Sequence, residues 1–159
     1  MNIAFIIQNY NYQGGGQVTA SLVEYFQSLG HKVNIIVIRC DKGDFESRPI
    51  HFSNTLDLNA SGLFSAIIKL IKIFRHSQYD AYVSIGGYSN LAAGLAKLLG
   101  RSSTRIIGSE HFAKSVLIGD YAKPFLRLTL PLFRLAYTQL NGLMFVSERL
   151  RLEFLKKNS

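Results

Sequence analysis

The sequence predicts an α/β fold built on a doubly wound, mainly parallel sheet. Three observations carry that reading. Short β-branched runs alternate along the chain with longer segments of helical period, the pattern of consecutive βαβ units. Ile35-Ile36-Val37-Ile38 is apolar on consecutive residues, so both faces of its strand are expected to be covered. Glycine-bearing or polar loops follow the first, fourth and fifth strand candidates, at the edge where open α/β sheets bind ligands.

Each element has a local signal. The first strand is expected at 2–8, where Ile3-Ala4-Phe5-Ile6-Ile7 runs into Gln8-Asn9. Further strands are expected at 33–38, 50–53, 81–85, 104–108 and 143–146, with helices at 17–29, 61–76, 90–99, 123–139 and 148–157. Gly30 and Gly100 sit where left-handed C-terminal caps are wanted, and Ser89 and Ser147 precede helices that they can cap. Gly30-His31-Lys32 reads as a helix-to-strand turn, and the charged segment 41–48 as a solvated loop. Pro124 suits a first helical turn, whereas Pro131 is expected to kink or split its helix. No repeat or linker interrupts the 159 residues, so a single domain is expected.

Composition narrows the classes. A chain 48% hydrophobic and 18% charged is globular in type, and thirteen Gly with three Pro exclude a collagen-like repeat. The lone Cys40 excludes an internal disulfide framework and favours a reducing compartment. No apolar run approaches the ~20 residues of a membrane span, and the N-terminus lacks a basic start and a cleavage site, so neither export nor a transmembrane anchor is expected. Eighteen Lys and Arg against ten Asp and Glu give a formal charge of +8. No acid occurs between Leu58 and Tyr79, or from Tyr121 to Ser147. Such asymmetry points to an anionic partner: nucleic acid, a membrane surface or a phosphorylated substrate.

Candidate chemistry lies in the loops. Gly14-Gly15-Gly16-Gln17 joins the first strand to a helix, and a glycine turn opening onto a helix N-terminus suits a phosphate. The dinucleotide fingerprint G-x-G-x-x-G is broken by Thr19, although Asp41 lies roughly where an acid would grip a ribose. After the fourth strand comes Gly86-Gly87-Tyr88-Ser89-Asn90, and after the fifth Ser109-Glu110-His111. These loops can converge on one crevice. There an imidazole can carry a proton or donate a hydrogen bond, and a neighbouring carboxylate can orient it or contact hydroxyls. His31, His51, His76 and His111 show no metal spacing, and no G-x-S-x-G elbow is present.

Two basic helices add a second theme. In 63–76 a nearly continuous apolar surface leaves Lys69, Lys72 and Arg75 on a narrow stripe. In 121–137, Phe125, Leu128, Leu132 and Leu135 share one face while Lys123, Arg127 and Arg134 share another. Such helices either lie in an anionic membrane interface or pack on the sheet. Their aromatic residues lie on the apolar face, which favours lipid over stacked bases and argues against nucleic acid.

Gly14-Gly15-Gly16-Gln17-Val18, Leu29-Gly30-His31-Lys32-Val33, Ser84-Ile85-Gly86 with Asn90, Ser109-Glu110-His111 and Phe145-Val146-Ser147-Glu148 together resemble the N-terminal domain of a GT-B glycosyltransferase of the retaining family 4 type. The resemblance implies a Rossmann-like domain forming the acceptor-side half of such an enzyme, with the C-terminal donor-binding domain absent from these residues. It implies a nucleotide-sugar donor against Gly15 and Gly16, within the loop Gly14 to Gln17, and His111 at the reacting sugar; by their place at the same crevice, Glu110 is expected beside His111, and Tyr88, Ser89 and Asn90 beside a glycan or lipid-linked acceptor. It also implies no cofactor and no metal, and an isolated fragment without turnover. The basic face of 121–137 adds the expectation of a peripheral place on the inner face of the cytoplasmic membrane through Lys123, Phe125, Arg127 and Arg134. Two rival readings stand beside it. One is a nucleotide- or nicotinamide-binding Rossmann domain of another class, for which Asp41 would matter. The other is a non-catalytic lipid-binding module.

Overall fold

The apolar runs form strands and the periodic segments form helices largely where the sequence places them. The computed structural model describes residues 1–9, 15–39, 54–76, 78–111 and 124–156, with the backbone alone at 15, 124–130 and 156. In chain order these are β1 (Asn2–Ile7), α1 (Gly15–Ser28), β2 (Lys32–Val37), β3 (Thr55–Asp57), α2 (Leu63–His76), β4 (Ala81–Ile85), α3 (Gly87–Gly100), β5 (Ile106–Glu110), α4 (Pro124–Tyr137), β6 (Gly142–Phe145) and α5 (Glu148–Lys156). The strands lie in the order β3-β2-β1-β4-β5-β6, and every pair among the described residues is parallel.

Alternation along each strand splits the core into two layers. Ala4, Ile6, Ile36, Tyr82 and Ile106 face α2, α3 and α4, where they meet Ala66, Leu70, Ala92 and Ala136. Ile3, Phe5, Ile7, Val33, Ile35, Val37 and Val83 face α1, against Ala20 and Val23. Ile35, Ile36, Val37 and Ile38 are all buried, so the strand is covered on both faces as its unbroken apolar run requires. At roughly 25 cal/mol per Å², each such side chain contributes about 1.5–3 kcal/mol.

Local chemistry sets the boundaries. Gly30 takes φ +78°, and the bonds Gly30 N to Gln27 O (2.9 Å) and His31 N to Phe26 O (3.1 Å) close α1 in a Schellman motif. Ser147 Oγ accepts from Leu150 N at 3.2 Å and caps α5 as expected.

Other expectations need correction. The αL residue that ends α3 is Arg101 (φ 50°, ψ 41°), while Gly100 is the last helical residue. Gly100 instead admits Ile71 of α2, whose side chain would stand 3.3 Å from an added Cβ. Ser89 is inside α3, whose N-cap is Gly86. The third strand forms at Thr55–Asp57, and the expected 50–53 lies outside the described residues. The strand expected at 104–108 is shifted to Ile106–Glu110. Pro131 does not split its helix, since α4 runs on to Tyr137.

Candidate active site

Parallel pairing brings every strand C-terminus to one edge of the sheet. Order reverses between β1 and β4: the chain leaves β1 toward α1 on one face and leaves β4 toward α3 on the other. A crevice opens where such connections diverge. Its walls are the starts of α1 and α3, and His111 follows the neighbouring β5.

Gly15 begins α1, Gly16 is half-buried and Gln17 is exposed; Gly14 lies outside the described residues. No acid occurs in the first turn of α1 or of α3, so the positive end of each helix dipole is uncompensated there. Gly86 has φ 85° and ψ 158°, a conformation reserved for glycine, and lets the chain turn from β4 directly into α3. Tyr88 is half-buried against the larger core, and burial raises its phenol pKa against an opposing pull from Arg39. Arg39 follows β2 and is exposed, so a guanidinium stands near Tyr88 at the crevice edge. The sequence reading missed it. The available signal was its place just past a strand C-terminus, where only an acid, Asp41, was sought; Asp41 lies outside the described residues.

His111 is half-buried, and its Nε2 lies 3.1 Å from Ser109 Oγ. Burial pulls the imidazole pKa below 6.5, and the charge of Glu110 opposes this in part. The ring is therefore neutral near pH 7. Glu110 occupies a different environment. Its residue is 1% exposed, the Tyr137 hydroxyl donates to Oε2, and Asn90 Nδ2 donates to the same oxygen at 3.4 Å. Oε1 is buried with no partner among the described residues. Burial, then the charge and hydrogen bond of Glu110, push the Tyr137 phenol far above its ordinary pKa, so it keeps its proton.

These contacts show where the fold places the expected site residues. Period-two alternation turns Glu110 toward α3 and α4, where its carboxylate is bonded by Tyr137 and Asn90, while its charge still acts on the His111 ring. Asn90 is buried and its amide is engaged internally: Ser84 Oγ donates to Oδ1 at 2.5 Å, and Nδ2 also reaches Ser109 O at 3.2 Å. Ser89 is equally buried, its Oγ without a partner among the described residues. Neither side chain lines an open acceptor surface. Of that expected trio, Tyr88 alone is partly accessible.

The basic helices divide unevenly. Ala66, Ile67, Leu70 and Phe74 are the packed face of α2, leaving Phe64, Ile68, Lys72 and Arg75 exposed, with Phe64 at 76%. Lys69 does not join the basic stripe, because Nζ donates to Leu58 O (2.6 Å) and Asn59 O (2.9 Å). On α4, Phe133, Ala136 and Tyr137 pack on the core, while Leu132, Arg134 and Leu135 are exposed. Lys123 and the side chains of Phe125 and Arg127 lie outside the described residues. No described helix is long and apolar enough to cross a membrane, and among the described residues no His, Cys, Asp and Glu gather as a metal site.

The family model for Glycosyltransferase Family 4 matches residues 12–158. The chain belongs to this family. No curated protein sequence matches the chain significantly. Among solved structures, the domain is similar to the apo form of the lipopolysaccharide outer core galactosyltransferase WaaB, with TM-score 0.70 and 14% identity over 100% of this chain and 43% of that one. It is also similar to a UDP-GlcNAc 2-epimerase from Methanocaldococcus jannaschii (TM-score 0.60, 16% identity, 99% and 43%) and to MurG from Acinetobacter baumannii (0.50, 15%, 69% and 34%). This family 4 chain thus spans less than half the length of those three structures. At such identities the likeness shows the fold, which is the Rossmann-like half of a GT-B architecture. That an epimerase shares it leaves the chemistry to be argued from the crevice.

Proposed function

We propose that this family 4 domain is the acceptor-side half of a sugar transferase, moving a sugar from a nucleotide-sugar donor to a glycan or lipid-linked acceptor with retention of configuration. The observation that carries the reading is convergence: the starts of α1 and α3, the Gly86 turn and His111 meet at the C-terminal edge of parallel strands. Gly15 and Gly16 would lie against the donor diphosphate, where a helix N-terminus favours negative charge. Arg39 adds a cation at the same edge. His111 would face the transferred sugar, and Tyr88 would border the acceptor. Glu110 and Asn90 act from behind, by fixing the segment that carries His111. A departing diphosphate needs charge stabilisation, which amides and basic groups supply without a metal.

The remaining donor contacts belong to a second domain under this reading, so the 159 residues alone fold without transferring sugar. The exposed apolar residues of α2 and α4, flanked by Lys72, Arg75 and Arg134 with no acid in either helix, support peripheral attachment to an anionic membrane at its inner face. The test is release of nucleoside diphosphate from a panel of nucleotide sugars by the two-domain enzyme, with and without Gly15→Val. A branched side chain at that helix start is expected to weaken donor binding. Unchanged donor affinity would remove the glycine loop from the donor site.

A further inference from the structure

Ser109 is held more firmly than a strand residue needs to be. It pairs with Ile85 on one side and Met144 on the other, its carbonyl accepts from Gly86 N at 2.8 Å and from Asn90 Nδ2 at 3.2 Å, and it is 4% exposed. Glu110 beyond it is clamped by Tyr137 and Asn90. The Ser109 hydroxyl is thereby brought to His111 Nε2 at 3.1 Å.

Two protonation patterns satisfy that distance. In the first, the ring carries its proton on Nε2 and donates to Ser109 Oγ; the serine proton then has no acceptor among the described residues, at a cost of about 1–3 kcal/mol. In the second, the serine O–H donates to a bare Nε2, and both groups are satisfied. A neutral imidazole has one nitrogen of each kind, and the bond made by one decides which the other is.

We propose that Ser109 is a positioning residue that fixes the His111 tautomer: its hydroxyl donates to Nε2, the ring proton sits on Nδ1, and His111 offers the crevice an N–H donor rather than a base. The lowered proton affinity of the buried ring agrees with a neutral donor. Such a group stabilises charge growing on a ligand oxygen and takes up no proton in the reaction. The ligand's identity rests on the proposed sugar transfer; the tautomer is a property of this chain.

Long-range ¹H–¹⁵N correlation spectra of the ¹⁵N-labelled 159-residue protein, at a pH where the ring is neutral, read the tautomer directly. The His111 signals are assigned by their loss in His111→Gln. The expected pattern is Nδ1–H in the wild type, a shift toward Nε2–H in Ser109→Ala, and retention of Nδ1–H in Ser109→Thr, which keeps the hydroxyl. An Nε2–H ring in the wild type would overturn the proposal whether or not the variants fold, as would a Ser109→Ala spectrum with the wild-type pattern. No sugar transfer enters the measurement, so an Nδ1–H ring in a protein that transfers no sugar supports this assignment and counts against the proposed function alone.

Discussion

Gly94 of α3 approaches Ala136 of α4 so closely that a Cβ at position 94 would stand 2.2 Å from the Ala136 carbonyl oxygen. The contact is backbone to side-chain position, so no flexible side chain can yield. Gly94→Ala gains about 0.5–1 kcal/mol of helix propensity, but forcing the helices apart costs about 1–3 kcal/mol. We expect net destabilisation, read as a lower Tm by differential scanning calorimetry. An unchanged or raised Tm would show that α4 shifts at no cost.

Asn90 links three elements through one amide. Asn90→Ala strips Glu110 of a donor and the Ser84 hydroxyl of its acceptor in a site closed to solvent. The expected loss is about 3 kcal/mol, since each buried group left unpaired costs about 1–3 kcal/mol. Asn90→Asp sets a second carboxylate against Glu110 and is expected to be worse at pH 7. Urea denaturation of the three proteins checks the order.

The depressed His111 pKa makes stability depend on pH with a definite sign. The unfolded chain binds the proton at its ordinary value, about 6.5, while the folded ring resists it because of burial. Stability is therefore full above that value, falls as pH drops through it, and levels off below the folded pKa. Comparison with His111→Gln by urea denaturation across this window is expected to show a shallower acid-side loss in the variant. Parallel curves would assign the loss elsewhere.

Phe64 and Ile68 on α2, with Leu132 and Leu135 on α4, belong to helices that flank α3 on one side of the sheet. Each basic residue near an anionic surface contributes about 1 kcal/mol. Sedimentation with anionic vesicles at low salt is expected to exceed that with neutral vesicles. Most of the excess is expected to vanish in a Lys123/Arg127/Arg134→Ser variant, and much of the binding in Phe64→Ser/Ile68→Ser. Equal sedimentation of wild type and both variants would detach the acceptor from the membrane.

Much of the fold was legible because the signals are local. The unbroken run at Ile35 to Ile38 announced a strand buried on both faces, and Gly30 and Ser147 announced their caps. The motif pairing Ser84 with Asn90 proved to be a buried hydrogen bond. Errors arose where neighbours in space decide. Ending the fifth strand at Gly108 hid the alternation that turns the Glu110 carboxylate toward Tyr137 and Asn90. Ser89 and Gly100 look like caps only until Gly86 and Arg101, with their positive φ angles, take those places. On α4, Leu132 and Leu135 are exposed beside the packed Phe133 and Ala136, and sequence alone does not choose which side packs. Lys69 reads as part of a basic stripe with Lys72 and Arg75 because its backbone acceptors, Leu58 and Asn59, come from the preceding loop.

His111 is proposed to serve sugar transfer from the crevice. The most direct test is turnover of the two-domain enzyme with His111→Ala, at saturating donor and acceptor, alongside its Tm. Loss of one preorganised donor predicts a fall in turnover of at least about a hundredfold with the fold retained. Turnover equal to wild type, with or without a lower Tm, would remove His111 from the reaction and leave it a packing residue.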